Sequence, residues 1–106
     1  MKPIKITEQN FEKEVLESET PVIIDFFADW CMPCKMMAPV FESLSEEYEG
    51  KLKFCKVNVD EHPGLSSEFG IQGIPALVIV SEGKETGRIV GFASESSLKN
   101  KIEQIL

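Results

Sequence analysis

Apolar residues in this chain fall into blocks, and the spacing inside each block assigns it an element. Val22-Ile23-Ile24-Asp25-Phe26-Phe27-Ala28 is almost continuously apolar, which marks a strand buried on both faces with one carboxylate inside it. From Pro33 to Tyr48 the apolar positions Met36, Met37, Val40, Phe41, Leu44 and Tyr48 recur at helical spacing. Pro33 suits a first turn, whose backbone donors lack partners, whereas Pro39 falls inside the helix and is expected to kink it. Gly50 supplies a stop. Leu52 to Val59 reads as a second strand, Ala76 to Val80 as a buried third, and Thr86 to Val90 as its return across the loop Ser81-Glu82-Gly83-Lys84. Ser94 caps a last helix with Leu98, Ile102, Ile105 and Leu106 on one face.

Three weaker signals fill the gaps. Thr7 caps a helix carrying Phe11, Val15 and Leu16, closed by Thr20-Pro21. Asp60-Glu61-His62-Pro63-Gly64 has turn chemistry and leads into a short helix ending near Phe69. Lys2 to Ile6 reads as an edge strand. The order is β-α-β-α-β-α-β-β-α. Strands separated by helices favour parallel pairing and the last two favour a hairpin, so the expectation is an α/β fold with a central mixed five-stranded sheet and helices on both faces. No repeat, low-complexity tract or long linker interrupts it, and residues 1–106 are expected to form one domain.

Charge narrows the function classes. Eleven Lys+Arg against 18 Asp+Glu leave a net charge of −7, without a basic run. That balance argues against nucleic acid and against an anionic membrane surface as partners. No stretch approaches the ~18 uninterrupted apolar residues of a membrane span. Met1 to Asn10 has lysines but no apolar core or small-residue cleavage site, so no export signal is read and a cytoplasmic location is the expectation. The cysteines are Cys31, Cys34 and Cys55, an odd number and too few for a disulfide scaffold. In a reducing compartment a close pair is redox-active or metal-binding.

That pair lies in Trp30-Cys31-Met32-Pro33-Cys34-Lys35, where the first long strand gives way to the helix. Cysteines three apart at a helix start can close a small disulfide ring with little chain movement. At the first turn, Cys31 would meet unpaired backbone N–H groups whose positive potential stabilises a thiolate, the nucleophilic form. Cys34 is expected to point further in. The competing metal reading takes Cys31, Cys34, Cys55 and His62 as zinc ligands, but Cys55 falls in a strand one element away.

The blocks around the motif carry a resemblance. Val22-Ile23-Ile24-Asp25-Phe26 precedes it and Lys35-Met36-Met37-Ala38-Pro39 comes directly after it; Lys56-Val57-Asn58-Val59-Asp60, Gly70-Ile71-Gln72-Gly73-Ile74-Pro75 and Val90-Gly91 come later, in that order. From about Thr7 to the C-terminus the chain resembles the thioredoxin family. The resemblance implies the thioredoxin fold and a monomeric dithiol–disulfide oxidoreductase that needs no bound cofactor. It also implies disulfide-containing client proteins, and a flavoprotein or ferredoxin-linked reductase as electron donor. By resemblance Cys31 is the nucleophile, Cys34 the resolving thiol, and Asp25 a proton relay with Lys56 as its partner. The other reading of Asp25 is a satisfied buried carboxylate, and the two are compatible. The resemblance further implies a cis Ile74–Pro75 bond facing the cysteines, with the Ile74 backbone free to pair with a client, and a docking surface of Trp30, Met32, Pro33, Gly73, Ile74, Pro75, Gly91 and Phe92.

Blander roles are expected elsewhere: Cys55 as an inert core thiol, Met36 and Met37 as core, His62 as a turn residue. The chain departs from the family pattern at Met32, where glycine is usual; at Phe27, where many relatives have tryptophan; and at Phe92, where a smaller residue is common. A disulfide oxidase or isomerase on the same fold is the nearest alternative, distinguished by how strongly the reduced thiolate is stabilised. A noncatalytic subunit borrowing the fold is a further one.

Overall fold

The structure, a computed structural model, describes residues 2–106; Met1, where the segment read for an export signal begins, lies outside them. The elements are β1 (Ile4–Lys5), a π-helical segment (Glu12–Leu16), β2 (Val22–Phe27), α1 (Met32–Glu47), β3 (Lys53–Asn58), α2 (Pro63–Glu68), β4 (Ala76–Ser81), β5 (Lys84–Val90) and α3 (Glu95–Ile105). They build one five-stranded sheet in the order β1-β3-β2-β4-β5. β3 is parallel to both β1 and β2, while β4 is antiparallel to β2 and to β5, so the sheet is mixed as the element order predicts.

β2 is central because both its faces are apolar. Val22, Ile24 and Phe26 join Cys55, Val57, Val78, Val80, Val15 and Leu65 on one side of the sheet. Ile23 joins Met37, Phe41 and Leu44 of α1, Leu77 and Ile79 of β4, and Leu98 and Ile102 of α3 on the other. Side chains alternate along a strand, so Asp25 shares the α1 face with Ile23. α1 and α3 are also tied at their surface: the Tyr48 hydroxyl donates to the Glu103 carboxylate, and Lys99 Nζ to Glu47 at 2.5 Å. Burial and the Glu103 carboxylate hold the Tyr48 hydroxyl well above the usual phenol range.

Where elements differ from expectation, local chemistry gives the reason. The β4–β5 loop is only Glu82-Gly83, both with positive φ, 53° and 78°, the conformation of a type I′ hairpin turn. β5 therefore begins at Lys84 rather than Thr86, and a bulge between Ile79 and Val80 absorbs the register change. Near the N-terminus, Thr7 Oγ1 accepts from the Gln9 N–H at 3.2 Å and the Thr7 N–H donates to Asn10 Oδ1 at 2.7 Å, but these bonds close a turn at residues 7–10; the helical segment starts later, with Phe11 as its N-cap and no side-chain cap, so Thr7 does not cap it as expected. The turn of that segment is widened: the Glu17 N–H reaches the Glu12 carbonyl, five residues back. Val15 stays in the core but the wider turn carries Leu16 into solvent, against the expected apolar face. Likewise Met37 is core and Met36 is exposed, because consecutive helix positions diverge by about 100°.

Candidate functional site

The site is assembled where β2 hands over to α1. Cys31 is the N-cap of α1, and its sulfur accepts the Cys34 N–H at 3.3 Å, one of the backbone donors that a helix start leaves unpaired. Pro33, in the first turn, has no donor to leave orphaned. Cys31 and Cys34 form a disulfide, with Cα atoms 5.2 Å apart. Both are sealed, at 4% and 3% exposure, so the expected contrast in accessibility is not seen in the bonded pair. The two sulfurs pack with Ala28 against Phe27, Val59 and Ile74. The oxidised pair thus sits where a thiolate, once formed, faces backbone donors rather than bulk water.

Ile74 comes from the segment between α2 and β4. Its carbonyl oxygen lies 3.8 Å from Cys31 Sγ, and the Ile74–Pro75 peptide bond is cis, as the resemblance implies. Pro75 is buried, and its carbonyl accepts the Gly91 N–H at 2.8 Å, which brings the end of β5 to the site. Gly91 has φ +92°, a left-handed conformation that other residues rarely adopt. Gly73 is a different case: a Cβ there would make ordinary contact with Val90 at 3.5 Å, so nothing inside the chain requires its smallness.

Large apolar side chains stand exposed around this mouth. Trp30 is 70% exposed, Met32 63% and Phe92 47%, joined by Met36 and Val90. Trp30 is therefore not a core residue. Its indole Nε1 donates to Asp60 Oδ2 at 2.8 Å, and Asp60 is itself fixed by its N–H bond to Asn58 Oδ1 at 2.9 Å. Sequence reasoning missed Asp60 as a support of the mouth. The signal available was the Asn58-Val59-Asp60 turn chemistry directly after a strand.

Asp25, on the α1-facing side of β2, is 4% exposed, and among the described residues its Oδ1 has no hydrogen-bond partner. Burial pushes its carboxyl up to about 7, and the Lys56 ammonium, from the paired position on β3, pulls it partly back. Lys56 acts here through charge, and its Nζ lies 5.8 Å from the centre of the Phe27 ring. The remaining candidates are scattered. Cys55 belongs to the apolar cluster on the opposite face of the sheet, and His62 Nδ1 pairs with Glu8 Oε1 at 2.7 Å. The zinc set of Cys31, Cys34, Cys55 and His62 is thus divided by the sheet. Among the described residues no cluster of His, Cys, Asp or Glu could hold a metal ion.

A thioredoxin family model matches residues 2–104. The chain belongs to the thioredoxin family. It is 42% identical over 102 residues to thioredoxin 1 of Nostoc sp., covering 96% of this chain and 95% of that one. It is 41% identical over 99 residues to the thioredoxin of Rickettsia felis, covering 93% and 94% of the two chains. It is likewise 41% identical over 95 residues to the thioredoxin of Pseudomonas aeruginosa, covering 90% and 88%. With the bridged Cys31–Cys34 pair, family membership makes this chain a thiol–disulfide oxidoreductase. It implies, in general terms, a reductase that supplies electrons and client proteins that carry disulfides.

Proposed function

We propose that the chain reduces disulfides in client proteins, in the cytoplasm, with Cys31 as nucleophile and Cys34 as resolving thiol. The Cys31 thiolate attacks one client sulfur, forming a mixed disulfide and releasing the other client sulfur as a thiolate. Cys34, losing its proton toward Asp25, then attacks Cys31 Sγ. The bond to the client breaks, the second client thiol leaves, and the Cys31–Cys34 disulfide forms. Two electrons have passed to the client, and a separate reductase returns them to the pair.

Asp25 is the proton relay and Lys56 tunes it by charge. A carboxyl near 7 can hold or give up a proton under working conditions. Trp30, Met32, Pro33, Gly73, Ile74, Gly91 and Phe92 form the docking surface; Pro75, expected there too, is buried and serves it by setting the Ile74 backbone through the cis bond, so that this backbone pairs with an extended client segment. Among the described residues no helix is long and apolar enough to cross a membrane.

The observation that carries this reading is the Cys31–Cys34 bridge at the mouth of α1, with the Ile74 carbonyl 3.8 Å from Cys31 Sγ. It is tested by turnover of a protein disulfide with a chemical dithiol as electron donor. Cys31→Ser is expected to abolish turnover, and Cys34→Ser to accumulate a covalent adduct with the client. Adducts through Cys34 in the Cys31→Ser variant would reverse the assignment. Equilibration with glutathione separates reductase from oxidase, since an oxidant stabilises its reduced form.

A further inference from the structure

The segment that presents Ile74 is held chiefly from its ends. The Gly70 N–H bonds to the Ser67 carbonyl at 3.0 Å and the Ile71 N–H to the Ser66 carbonyl at 2.9 Å, both closing the end of α2. Among the described residues, Gln72, Gly73 and the Ile74 N–H make no backbone–backbone hydrogen bond. The next anchor is the Pro75 carbonyl, bonded to Gly91 just beyond β5. The near end is also tied to β5. Arg88 Nη2 donates to the Phe69 carbonyl at 2.7 Å, while Nε and Nη2 grip Glu85 Oε2 and Oε1 at 2.6 and 2.8 Å.

An exposed Arg–Glu pair alone contributes little. Here the pair has a further consequence. Two-point contact with Glu85 fixes the plane of the guanidinium, so its remaining reach is aimed at one acceptor. That acceptor is a carbonyl at the C-terminal end of α2, where a helix lacks its own donors. The Phe69 ring meanwhile packs on Phe26 and Phe11, at centroid distances of 5.3 and 5.8 Å, so the side chain anchors one direction and Arg88 the other.

We propose that Arg88, oriented by Glu85, is a positioning residue: by holding the Phe69 carbonyl it sets where the Ile74 backbone stands relative to Cys31. β5 and the residue directly after it then control both ends of the client-binding segment, through Arg88 and through Gly91. The inference rests on the reading of the Ile74 backbone as a client-pairing edge.

The test compares Arg88→Ala and Arg88→Lys with the parent in reduction of insulin, with dithiothreitol as electron donor. The same proteins, pre-reduced, are assayed on the aromatic disulfide dithiobis(nitrobenzoate), which has no peptide backbone to pair. In Arg88→Ala the KM for insulin is expected to rise about three- to tenfold, while kcat and the small-disulfide rate stay within about twofold. Lysine cannot span Glu85 and the carbonyl together, so Arg88→Lys should behave like Arg88→Ala. Glu85→Ala should give part of the effect, and the double variant no more than Arg88→Ala alone. Amide exchange at Gly70 and Ile71 should accelerate while β2 and α1 keep the protection of the parent. An active parent with KM and exchange unchanged in Arg88→Ala overturns the proposal. So does equal slowing on insulin and on the small disulfide, which marks a general loss of fold or thiol reactivity. A parent inactive on insulin overturns the client-pairing reading and this inference with it.

Discussion

Cys34 and Cys55 are equally hidden, at 3% and 0% exposure, yet they stand at opposite ends of thiol chemistry. Cys55 sits in mid-strand with Ile4 and Ile24 as lateral partners on β1 and β2. Burial pushes its thiol up to about 12, with Lys53 pulling it back and Glu14 adding to the rise. Cys31 and Cys34 are buried too, but in the first turn of α1, where a backbone N–H points at sulfur and a second sulfur is within bonding reach. Burial alone therefore says little about a cysteine. What decides is whether the surroundings that replace water favour charge, as a helix start does, or only exclude it, as a strand interior does.

The largest expected effect tests that contrast directly. In the reduced native protein at neutral pH, iodoacetamide should alkylate Cys31 at least about a thousandfold faster than Cys55. Time-resolved peptide mass spectrometry reads both sites in one sample. Comparable rates would mean that helix-start electrostatics do not set the reactivity.

Asp25 sharpens the comparison, being a buried group that is neither inert nor fully charged. Its folded carboxyl titrates at about 7, above the ordinary value of 3.8. Between those values the folded state keeps a proton that the unfolded state has lost. The burial cost is thus absent below the unfolded value, grows as pH rises, and reaches roughly 4 kcal/mol well above 7. Asp25→Asn should gain about 1–4 kcal/mol at pH 8 and almost nothing at pH 4, read from urea unfolding at both. The same variant should slow release of the client from the mixed disulfide about ten- to a hundredfold near neutral pH, measured by stopped flow. Unchanged release kinetics across that range would remove the relay role.

On the other face, Cys55→Ser places a hydroxyl in a cluster of aliphatic side chains. A stability loss of about 1–3 kcal/mol is expected, with turnover unchanged. A change in turnover at full folding would show that Cys55 is coupled to the redox pair across the sheet.

These contrasts are only partly legible in the sequence, and the division tracks the range of the interactions. β2, α1 and β4 are each specified by their own apolar spacing, and the start of α1 by Pro33 and the cysteines, so local reading suffices for them. The widened turn at Glu12–Leu16 is not legible, because a helical stripe looks the same until one added residue turns Leu16 outward. Met36 is misplaced for a similar reason, its neighbour Met37 occupying the core direction. The Trp30–Asp60 and Arg88–Phe69 bonds join residues 30 and 19 positions apart, and no local pattern announces such pairs. The buried carboxylate at Asp25 is conspicuous within an apolar strand, but its lack of a hydrogen-bond partner among the described residues depends on the packing of α1 above it.

The smallest effect probes how far a strand neighbour can tune that carboxylate without touching it. Lys56 faces Asp25 in the β2–β3 register and lowers its affinity for the proton by charge alone. Lys56→Met removes the charge while keeping an apolar stem beside Phe27. The Asp25 carboxyl should then rise above its present value of about 7, and the midpoint of the pH profile for mixed-disulfide release should move upward by less than about one pH unit. Stability should respond with the matching sign: unchanged at pH 5, where Asp25 is protonated in either protein, and lowered at pH 8, where the ionised carboxylate has lost the counter-charge of Lys56. A kinetic midpoint that stays put while the pH 8 stability falls would show that the group whose titration limits release is not Asp25. The charge on Lys56 would then belong to the fold rather than to the reaction.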